Sequence, residues 1–160
     1  MTGRRGTTLA IVQARTSSSR LPGKVLMPLE GEPMILRQLE RIARASSLDR
    51  IAVATSDHET DDALAQLLQS RGIDVVRGPL NDVLHRFVLA IDVYQPDVVV
   101  RLTADCPLIS PTVIDQVVDA FHDSDTDYVS NTMEPTYPDG LDVEVVTARA
   151  LRAMDNSTSD

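Results

Sequence analysis

The sequence predicts an α/β fold: a mainly parallel sheet with helices on both faces. Short apolar runs of strand length alternate four times with segments whose apolar residues recur at helical spacing. The strand-like runs are continuous and rich in β-branched residues, which is typical of strands buried on both faces. With 160 residues, 42% of them hydrophobic, the chain is long and apolar enough for one domain with a sizeable core.

Helix start and stop signals separate the elements. Pro33 and Ser110 mark helix starts, Asn81 or Asp82 is the expected N-cap of a third helix, and Gly72 is placed as a C′ residue. The predicted strands are 7–14, 50–56, 73–78 and 96–105, and the predicted helices are 33–46, 57–72, 81–94 and 110–124. Beyond this point the pattern weakens, and it predicts strands 126–132 and 141–147 and a helix 148–155.

Charge and composition exclude several classes of protein. The formal net charge of −9 argues against binding nucleic acid or an anionic membrane, which needs clustered Lys and Arg. Cys106 is the one cysteine of the sequence, so no intramolecular disulfide is possible, which fits a reducing compartment. No apolar run approaches the length of a membrane span. The chain is therefore expected to be soluble and cytoplasmic.

The segment QARTSSSRLPGK (13–24) places Arg15, Arg20 and Lys24 directly after the first predicted strand. In parallel α/β sheets ligands bind at the carboxyl ends of strands, and Arg and Lys side chains bind phosphate oxygens there. The segment has neither a Walker A pattern nor a G-x-G-x-x-G fingerprint. It is either a phosphate-binding loop or an ordinary solvated loop.

Carboxylates follow two other predicted strands. Asp105 ends the most apolar one, where it either holds Mg²⁺ together with substrate phosphates or forms a turn before Cys106-Pro107. Asp142 and Glu144 alternate on the predicted strand 141–147 and so share a face. They bind a metal, sugar hydroxyls or a cationic partner, or they form a solvated strand face.

At these residues the sequence resembles a known family. QARTSSSRLPGKVLMPLEGEPMI (13–35) is similar to the opening of the sugar cytidylyltransferases, the group of CMP-KDO synthetase and acylneuraminate cytidylyltransferase. RGPLNDVLHRF, VVVRLTADCPLI and TYPDGLDVEV are similar to the SpsF branch, named for spore coat polysaccharide biosynthesis. The resemblance implies a Rossmann-like fold of the nucleotide-diphospho-sugar transferase type. It also implies transfer of a nucleotidyl group from CTP to a sugar acid or related sugar, with release of pyrophosphate, and a homodimer.

The resemblance also implies roles for individual residues. Arg15 and Lys24 are expected to hold the triphosphate, and Arg20 is expected to bind the nucleotide with them. Asp105 is expected to bind Mg²⁺ as the cofactor, and Arg15, Lys24 and Asp105 are the expected catalytic residues. The residues expected to line the nucleotide pocket are Ala14, Arg101 and Thr103. The residues expected to face the sugar are Pro138, Gly140, Asp142 and Glu144.

The pattern departs from the family in one respect. Family members continue past this sequence into a segment with a second metal-binding aspartate, so residues 1–160 are expected to form one nucleotidyltransferase-like domain that lacks its C-terminal part. Two alternatives stay open: a non-catalytic domain that binds a nucleotide or a partner, and a nucleotide-sugar glycosyltransferase. The second would use the Asp-x-Asp spacing in DSDTD (123–127), which is otherwise a solvated acidic run.

Overall fold

A computed structural model of the protein describes residues 6–18 and 20–158; residues 1–5, Ser19 and 159–160 lie outside this part. Its centre is a six-stranded sheet in the order β5-β4-β1-β6-β8-β7, and β2 and β3 form a small separate hairpin. The strands are β1 (Thr8–Gln13), β2 (Pro28–Leu29), β3 (Glu32–Pro33), β4 (Arg50–Ser56), β5 (Asp74–Gly78), β6 (Val98–Thr103), β7 (Tyr128–Ser130) and β8 (Glu144–Thr147). Strands β5, β4, β1 and β6 are parallel, whereas β8 runs antiparallel to both β6 and β7.

Helices cover both faces of the sheet, as the sequence predicts. They are α1 (Met34–Ile42), α2 (Asp62–Ser70), α3 (Val83–Tyr94), α4 (Pro111–His122) and α5 (Ala148–Thr158). Alternate residues of β1 point to opposite faces: Ala10 and Val12 join the core under α1, α2 and α4, and Leu9 and Ile11 join the core under α3 and α5. This alternation explains the continuous apolar run of β1, because both faces of the strand are buried.

The strand order creates a crevice between β1 and β6. From β1 the chain leads to β4 and β5 on one side of the sheet, and it returns to β6 on the other. Gln13 is the last residue of β1, Thr103 is the last residue of β6, and the two are paired in the sheet. The loops that follow the two strands therefore start side by side and lead away from each other. Such a topological switch point is where open α/β sheets bind their ligands.

Several predicted boundaries are wrong by a turn or less. The predicted helix 57–72 begins as a 3-10 turn, Glu59–Asp61, because the His58 side chain accepts the N–H of Thr60 and holds a tighter start. Asp82 caps α3 through the N–H of His85, as one of the two expected N-caps. Ser110 precedes α4 without a side-chain capping bond. The predicted strand 141–147 begins only at Glu144, which leaves Asp142 in the preceding loop.

Candidate active site

A cleft of about 240 Å³ lies at the carboxyl ends of β1 and β6. Arg15, Arg20 and Lys24 line one side of it, and Asp105 lines the other. Three cations therefore meet one carboxylate in a protein of net charge −9. Among the residues described, Arg15 and Arg20 have no ion-pair partner, so their guanidinium groups are available to an anionic ligand.

A buried aspartate holds the start of the loop that follows β1 and carries Arg15, Arg20 and Lys24, which is called the basic loop from here on. Asp61 is fully buried, and its carboxylate accepts the backbone N–H of Thr16 at 2.7 Å and the Thr16 hydroxyl at 2.8 Å. The hydroxyl of Ser56, at the end of β4, donates to the same carboxylate. Thr16 in turn accepts the N–H of Gly23 on its carbonyl at 2.8 Å, so the two ends of the loop are tied together.

The pKa of Asp61 shows that the carboxylate is ionised. Burial is the largest influence and raises the pKa, but the hydrogen bonds from Ser56 and Thr16 together outweigh it. The pKa therefore lies below its ordinary value. A charged carboxylate accepting several hydrogen bonds is a stronger anchor for the loop than a neutral group would be.

Across the cleft, the Lys24 ammonium lies 3.5 Å from an oxygen of Asp105. Burial raises the pKa of Asp105, but hydrogen bonding to Thr103 and the charge of Lys24 outweigh it, so this pKa too lies below its ordinary value. The neighbouring Cys106 behaves differently, because burial raises the pKa of its thiol. The ionised group at this edge is thus the carboxylate, and the thiol stays protonated.

A buried glutamine of α1 holds the end of β6 in place. Gln38 of α1 is completely buried, and its side-chain amide donates to the carbonyl of Thr103 at 2.7 Å. This bond fixes the backbone two residues before Asp105. Gln38 therefore positions the segment that carries the carboxylate, although it does not line the cleft itself.

A second cleft, of about 190 Å³, adjoins the first and shares Thr103 with it. It is also lined by Arg101, Asp142 and Glu144, together with Thr132. The antiparallel pairing of β8 with β6 places Glu144 opposite Arg101, and the two side chains form an ion pair at 2.7 Å.

The structure brings most, but not all, of the candidate residues together. Ala14 lines the first cleft, with its N–H already donated to the carbonyl of Ala54 at 3.1 Å. Pro138 and Gly140 line neither cleft.

Four residues of the site are not among those predicted from the sequence. Gln13 lines the first cleft and Thr132 the second, and Asp61 and Gln38 support the loops around them. Gln13 could have been found from its position, because it is the last residue of β1.

The acidic run DSDTD (123–127) lies away from both clefts, near the amino-terminal end of β6. Asp127 accepts hydrogen bonds from Thr147 and Arg149, and Thr147 pairs with Val98 at the start of β6, far from the carboxyl ends. In the part of the chain that the structure describes, no group of three or more His, Cys, Asp or Glu side chains could hold a metal ion. No helix within the same part is long and apolar enough to cross a membrane.

The fold and the first cleft define an α/β domain with a basic cleft at its topological switch point. Residues 9–159 match the cytidylyltransferase family, and the chain belongs to that family. The Rossmann-like fold class expected from the sequence is thereby confirmed.

Individual relatives agree with this assignment. The chain is 39% identical over 147 residues to the spore coat polysaccharide biosynthesis protein SpsF of Bacillus subtilis, covering 89% of this chain and 60% of that protein. It is 39% identical over 116 residues to an 8-amino-3,8-dideoxy-manno-octulosonate cytidylyltransferase of Shewanella amazonensis, covering 69% and 46%. The chain thus spans about 60% or less of the length of these curated relatives.

Solved structures show the same fold. A cytidylyltransferase from Leptospira borgpetersenii superposes with a TM-score of 0.89 at 31% identity, covering 95% of this chain and 65% of that one. A CMP:2-keto-3-deoxy-manno-octonic acid synthetase solved with CTP superposes with a TM-score of 0.75 at 20% identity, covering 94% and 78%. At that identity the likeness to the second structure concerns the fold alone.

Proposed function

We propose that the protein transfers a cytidylyl group from CTP to a sugar, releasing pyrophosphate, in the biosynthesis of a surface polysaccharide. The observation that carries the proposal is the basic cleft at the switch point, where Arg15, Arg20 and Lys24 face Asp105. Membership of the cytidylyltransferase family and the names of its relatives support CTP and a sugar as the two substrates.

In this proposal the three cations bind the triphosphate. Guanidinium groups match phosphate oxygens with two parallel hydrogen bonds, and the Lys24 ammonium supplies a compact charge. The loop that carries them is held by Asp61 before any ligand arrives, so little ordering is needed on binding. Charge that develops on the leaving pyrophosphate would meet groups already in place.

Mg²⁺ belongs to the proposal as the cofactor, held by Asp105. The residues fit this ion, because Mg²⁺ is commonly bound by one or two carboxylates together with substrate phosphates, and Asp105 is ionised and about half exposed. When bound, the ion would neutralise phosphate charge and orient the triphosphate. Lys24 would then exchange its present contact with Asp105 for a phosphate oxygen.

The transfer itself forms one bond and breaks one bond. A sugar hydroxyl oxygen in the second cleft attacks the α-phosphorus of CTP, and the bond from that phosphorus to the oxygen bridging to the β-phosphate breaks. Pyrophosphate leaves with the bonding electron pair, and the hydroxyl proton is released to solvent. The contribution of the protein is to align the acceptor with the bond that breaks and to stabilise the leaving group.

The two alternatives are less well supported. A glycosyltransferase using DSDTD would need those carboxylates beside the first cleft. Asp127 instead bonds to Thr147 and Arg149 near the amino-terminal end of β6, away from that cleft. A domain that binds CTP without turnover uses the same cleft and differs only in releasing no pyrophosphate. The cytoplasmic location and the homodimer expected from the sequence complete the proposal.

The test is thermal unfolding of the chain with CTP, UTP, ATP and GTP, each with and without Mg²⁺. A ligand present at 100 times its dissociation constant stabilises a fold by about 2.7 kcal/mol, which shifts the melting temperature by several degrees. We expect the largest shift with CTP and Mg²⁺. Lys24→Ala should weaken CTP binding about tenfold, since it removes one charge-assisted contact.

Arg44→Ala provides the matched control, because Arg44 is an exposed cation on the turn after α1 and outside both clefts. Equal CTP affinity in wild type, Lys24→Ala and Arg44→Ala would refute the phosphate site. No nucleotide-dependent shift in a cooperatively folded chain would refute CTP binding. Pyrophosphate release with candidate sugars then separates the enzyme from the non-catalytic domain.

A further inference from the structure

Helix α1 is connected to both walls of the first cleft. Its first residue, Met34, donates its N–H to the carbonyl of Met27 at 2.9 Å, and Met27 directly follows the 3-10 turn that begins with Lys24. Further along the helix, two side chains reach the opposite wall. The position of α1 therefore determines how Lys24 and Asp105, whose charged atoms lie 3.5 Å apart, face each other across the cleft.

The two side chains hold the ends of segment 103–109, which is called the carboxylate turn from here on. The side-chain amide of Gln38 donates to the carbonyl of Thr103 at 2.7 Å, and Nε of Arg41 donates to the carbonyl of Ile109 at 2.8 Å. The two donors are three residues apart and so lie on the same side of the helix. The carboxylate turn is thus fixed to α1 at both ends, and its aspartate lies between them.

Gln38 makes its hydrogen bond at a cost to the stability of the fold. It is completely buried, and its amide oxygen has no hydrogen-bond partner among residues 6–18 and 20–158. A buried polar atom without a partner destabilises a protein, and a leucine of similar size would suit the apolar surroundings better. The other buried residues of α1 are all apolar: Ile35, Leu36, Leu39 and Ile42. The glutamine is therefore explained by the carbonyl that it holds and not by packing.

We propose that Gln38 is a positioning residue for the carboxylate that binds Mg²⁺, an inference that rests on the proposed function. By holding the Thr103 carbonyl it fixes the start of the carboxylate turn and keeps Asp105 in the wall of the first cleft, opposite Lys24. Gln38 itself lines neither cleft. Its loss should therefore reduce what Mg²⁺ adds to CTP binding and leave the phosphate contacts in place.

The experiment measures the affinity for CTP with and without Mg²⁺, and the ratio of the two affinities is the Mg²⁺ enhancement. In Gln38→Leu the enhancement should fall by about five- to tenfold, near the lower end of the range for residues that orient metal ligands. The affinity without Mg²⁺ should stay within about twofold of wild type, because the exposed contact of Asp105 with Lys24 contributes little. The urea denaturation midpoint should hardly change, because the loss of one hydrogen bond is offset by removal of the unpaired oxygen.

Ile42→Val is the matched control for a change in the core of the same helix. Ile42 is completely buried four residues after Gln38 and lines neither cleft. This variant should lower the urea denaturation midpoint, since it leaves a small cavity, and keep the Mg²⁺ enhancement of wild type. An equal enhancement in wild type and Gln38→Leu overturns the proposal, as does an equally large fall in Ile42→Val.

Hydrogen exchange of the free protein gives a second measurement that needs neither nucleotide nor metal. The backbone N–H of Ala104, in the carboxylate turn, donates to the carbonyl of Gln13 at 3.0 Å. In Gln38→Leu this N–H should lose protection relative to the N–H groups of β4, because the start of the turn is no longer held. Unchanged protection of Ala104 overturns the proposal.

Failure of this inference can be told apart from failure of the proposed function. If wild type binds no CTP, the proposed function fails, and the exchange of Ala104 alone decides whether Gln38 holds the carboxylate turn. If CTP binds and Lys24→Ala weakens it, but Mg²⁺ brings no enhancement in wild type, the phosphate site stands and the inference is wrong.

Discussion

Two cations of the site face a carboxylate, with different consequences. Lys24 meets Asp105 at 3.5 Å with both side chains substantially exposed, whereas Arg101 meets Glu144 at 2.7 Å in a more shielded place. An exposed ion pair contributes about 0–1 kcal/mol, so a triphosphate can displace Asp105 from Lys24 at little cost. The shorter pair is harder to separate, which is why Arg101 is better regarded as a fixed part of the cleft wall.

Asp61 is predicted to stabilise the fold although it binds no substrate. Asp61→Asn keeps the size of the side chain but replaces one carboxylate oxygen with an NH2 group. This group cannot accept a hydrogen bond, so either the two bonds from Thr16 or the bond from Ser56 loses its acceptor. The free energy of unfolding should fall by about 2–3 kcal/mol, because a buried donor loses its charged acceptor. Urea denaturation measures this fall.

Asp125→Asn, in an exposed turn, is the control for general effects of removing a carboxylate. An Asp61→Asn variant as stable as Asp125→Asn would show that the bonds from Thr16 and Ser56 contribute nothing. Sequence reasoning could not have found Asp61, because its partner Thr16 is 45 residues away and local periodicity carries no information about such a contact. Arg15, Lys24 and Asp105 could be found, because each follows the end of an apolar strand.

At the scale of elements, the basic loop depends on one glycine. Gly23 has a φ of +71° and immediately precedes the 3-10 turn Lys24–Leu26. The conformation of Gly23 therefore sets where this turn begins and how Lys24 is positioned. A Cβ at Gly23 would meet nothing within 4 Å. The cost of Gly23→Ala is therefore the left-handed backbone alone, about 1–2 kcal/mol.

Gly72→Ala is a closely matched control for that substitution. Gly72 has a φ of +70°, equally open space around its Cβ, and a position after α2 that lines neither cleft. Both variants should lose similar stability in urea denaturation. Only Gly23→Ala should also weaken CTP binding, by about tenfold if the loop relaxes enough to displace Lys24. Equal CTP affinities in the two variants would show that the conformation of Gly23 does not position Lys24.

The elements themselves could largely be predicted, and the errors have local causes. β4 spans Arg50–Ser56, the range expected from its apolar run. The strand expected over 141–147 is shorter, because neither of its neighbours in the described part of the chain, β6 and β7, pairs with it before Glu144. A pattern of alternating side chains shows which residues suit a strand, but not where its neighbour ends.

At the scale of the molecule, the first cleft follows from the parallel topology but the second cleft does not. Alternating strands and helices place the carboxyl ends of β1 and β6 at one edge, so a switch point there could be anticipated. The antiparallel insertion of β8 beside β6 brings Glu144 against Arg101, 43 residues away. Strand direction is decided by the packing of the whole sheet, and a single sequence contains no signal for it.

The whole molecule is predicted to lose stability in acid through carboxylates spread over the fold. Asp115 of α4 accepts four hydrogen bonds from Ser46 and Ser47, which ties α4 to the turn after α1. Burial raises the pKa of Asp115, but these bonds outweigh burial and leave the pKa below its ordinary value. The pKa of Asp61 is lowered in the same way by its own hydrogen bonds from Ser56 and Thr16. A carboxyl whose pKa is lower in the folded state than in the unfolded state stabilises the fold above the unfolded value, and this contribution disappears as the pH falls through the folded value.

The free energy of unfolding should therefore be highest near neutral pH and decline as the pH falls below about 5. Asp61→Asn combined with Asp115→Asn should be less stable than wild type at pH 7, and the difference should shrink steadily toward pH 3, because wild type loses there what the variant already lacks. Urea denaturation at half-unit pH intervals measures both curves. A difference between wild type and variant that stays constant from pH 7 to pH 3 would mean that ionisation of these two carboxylates does not stabilise the fold.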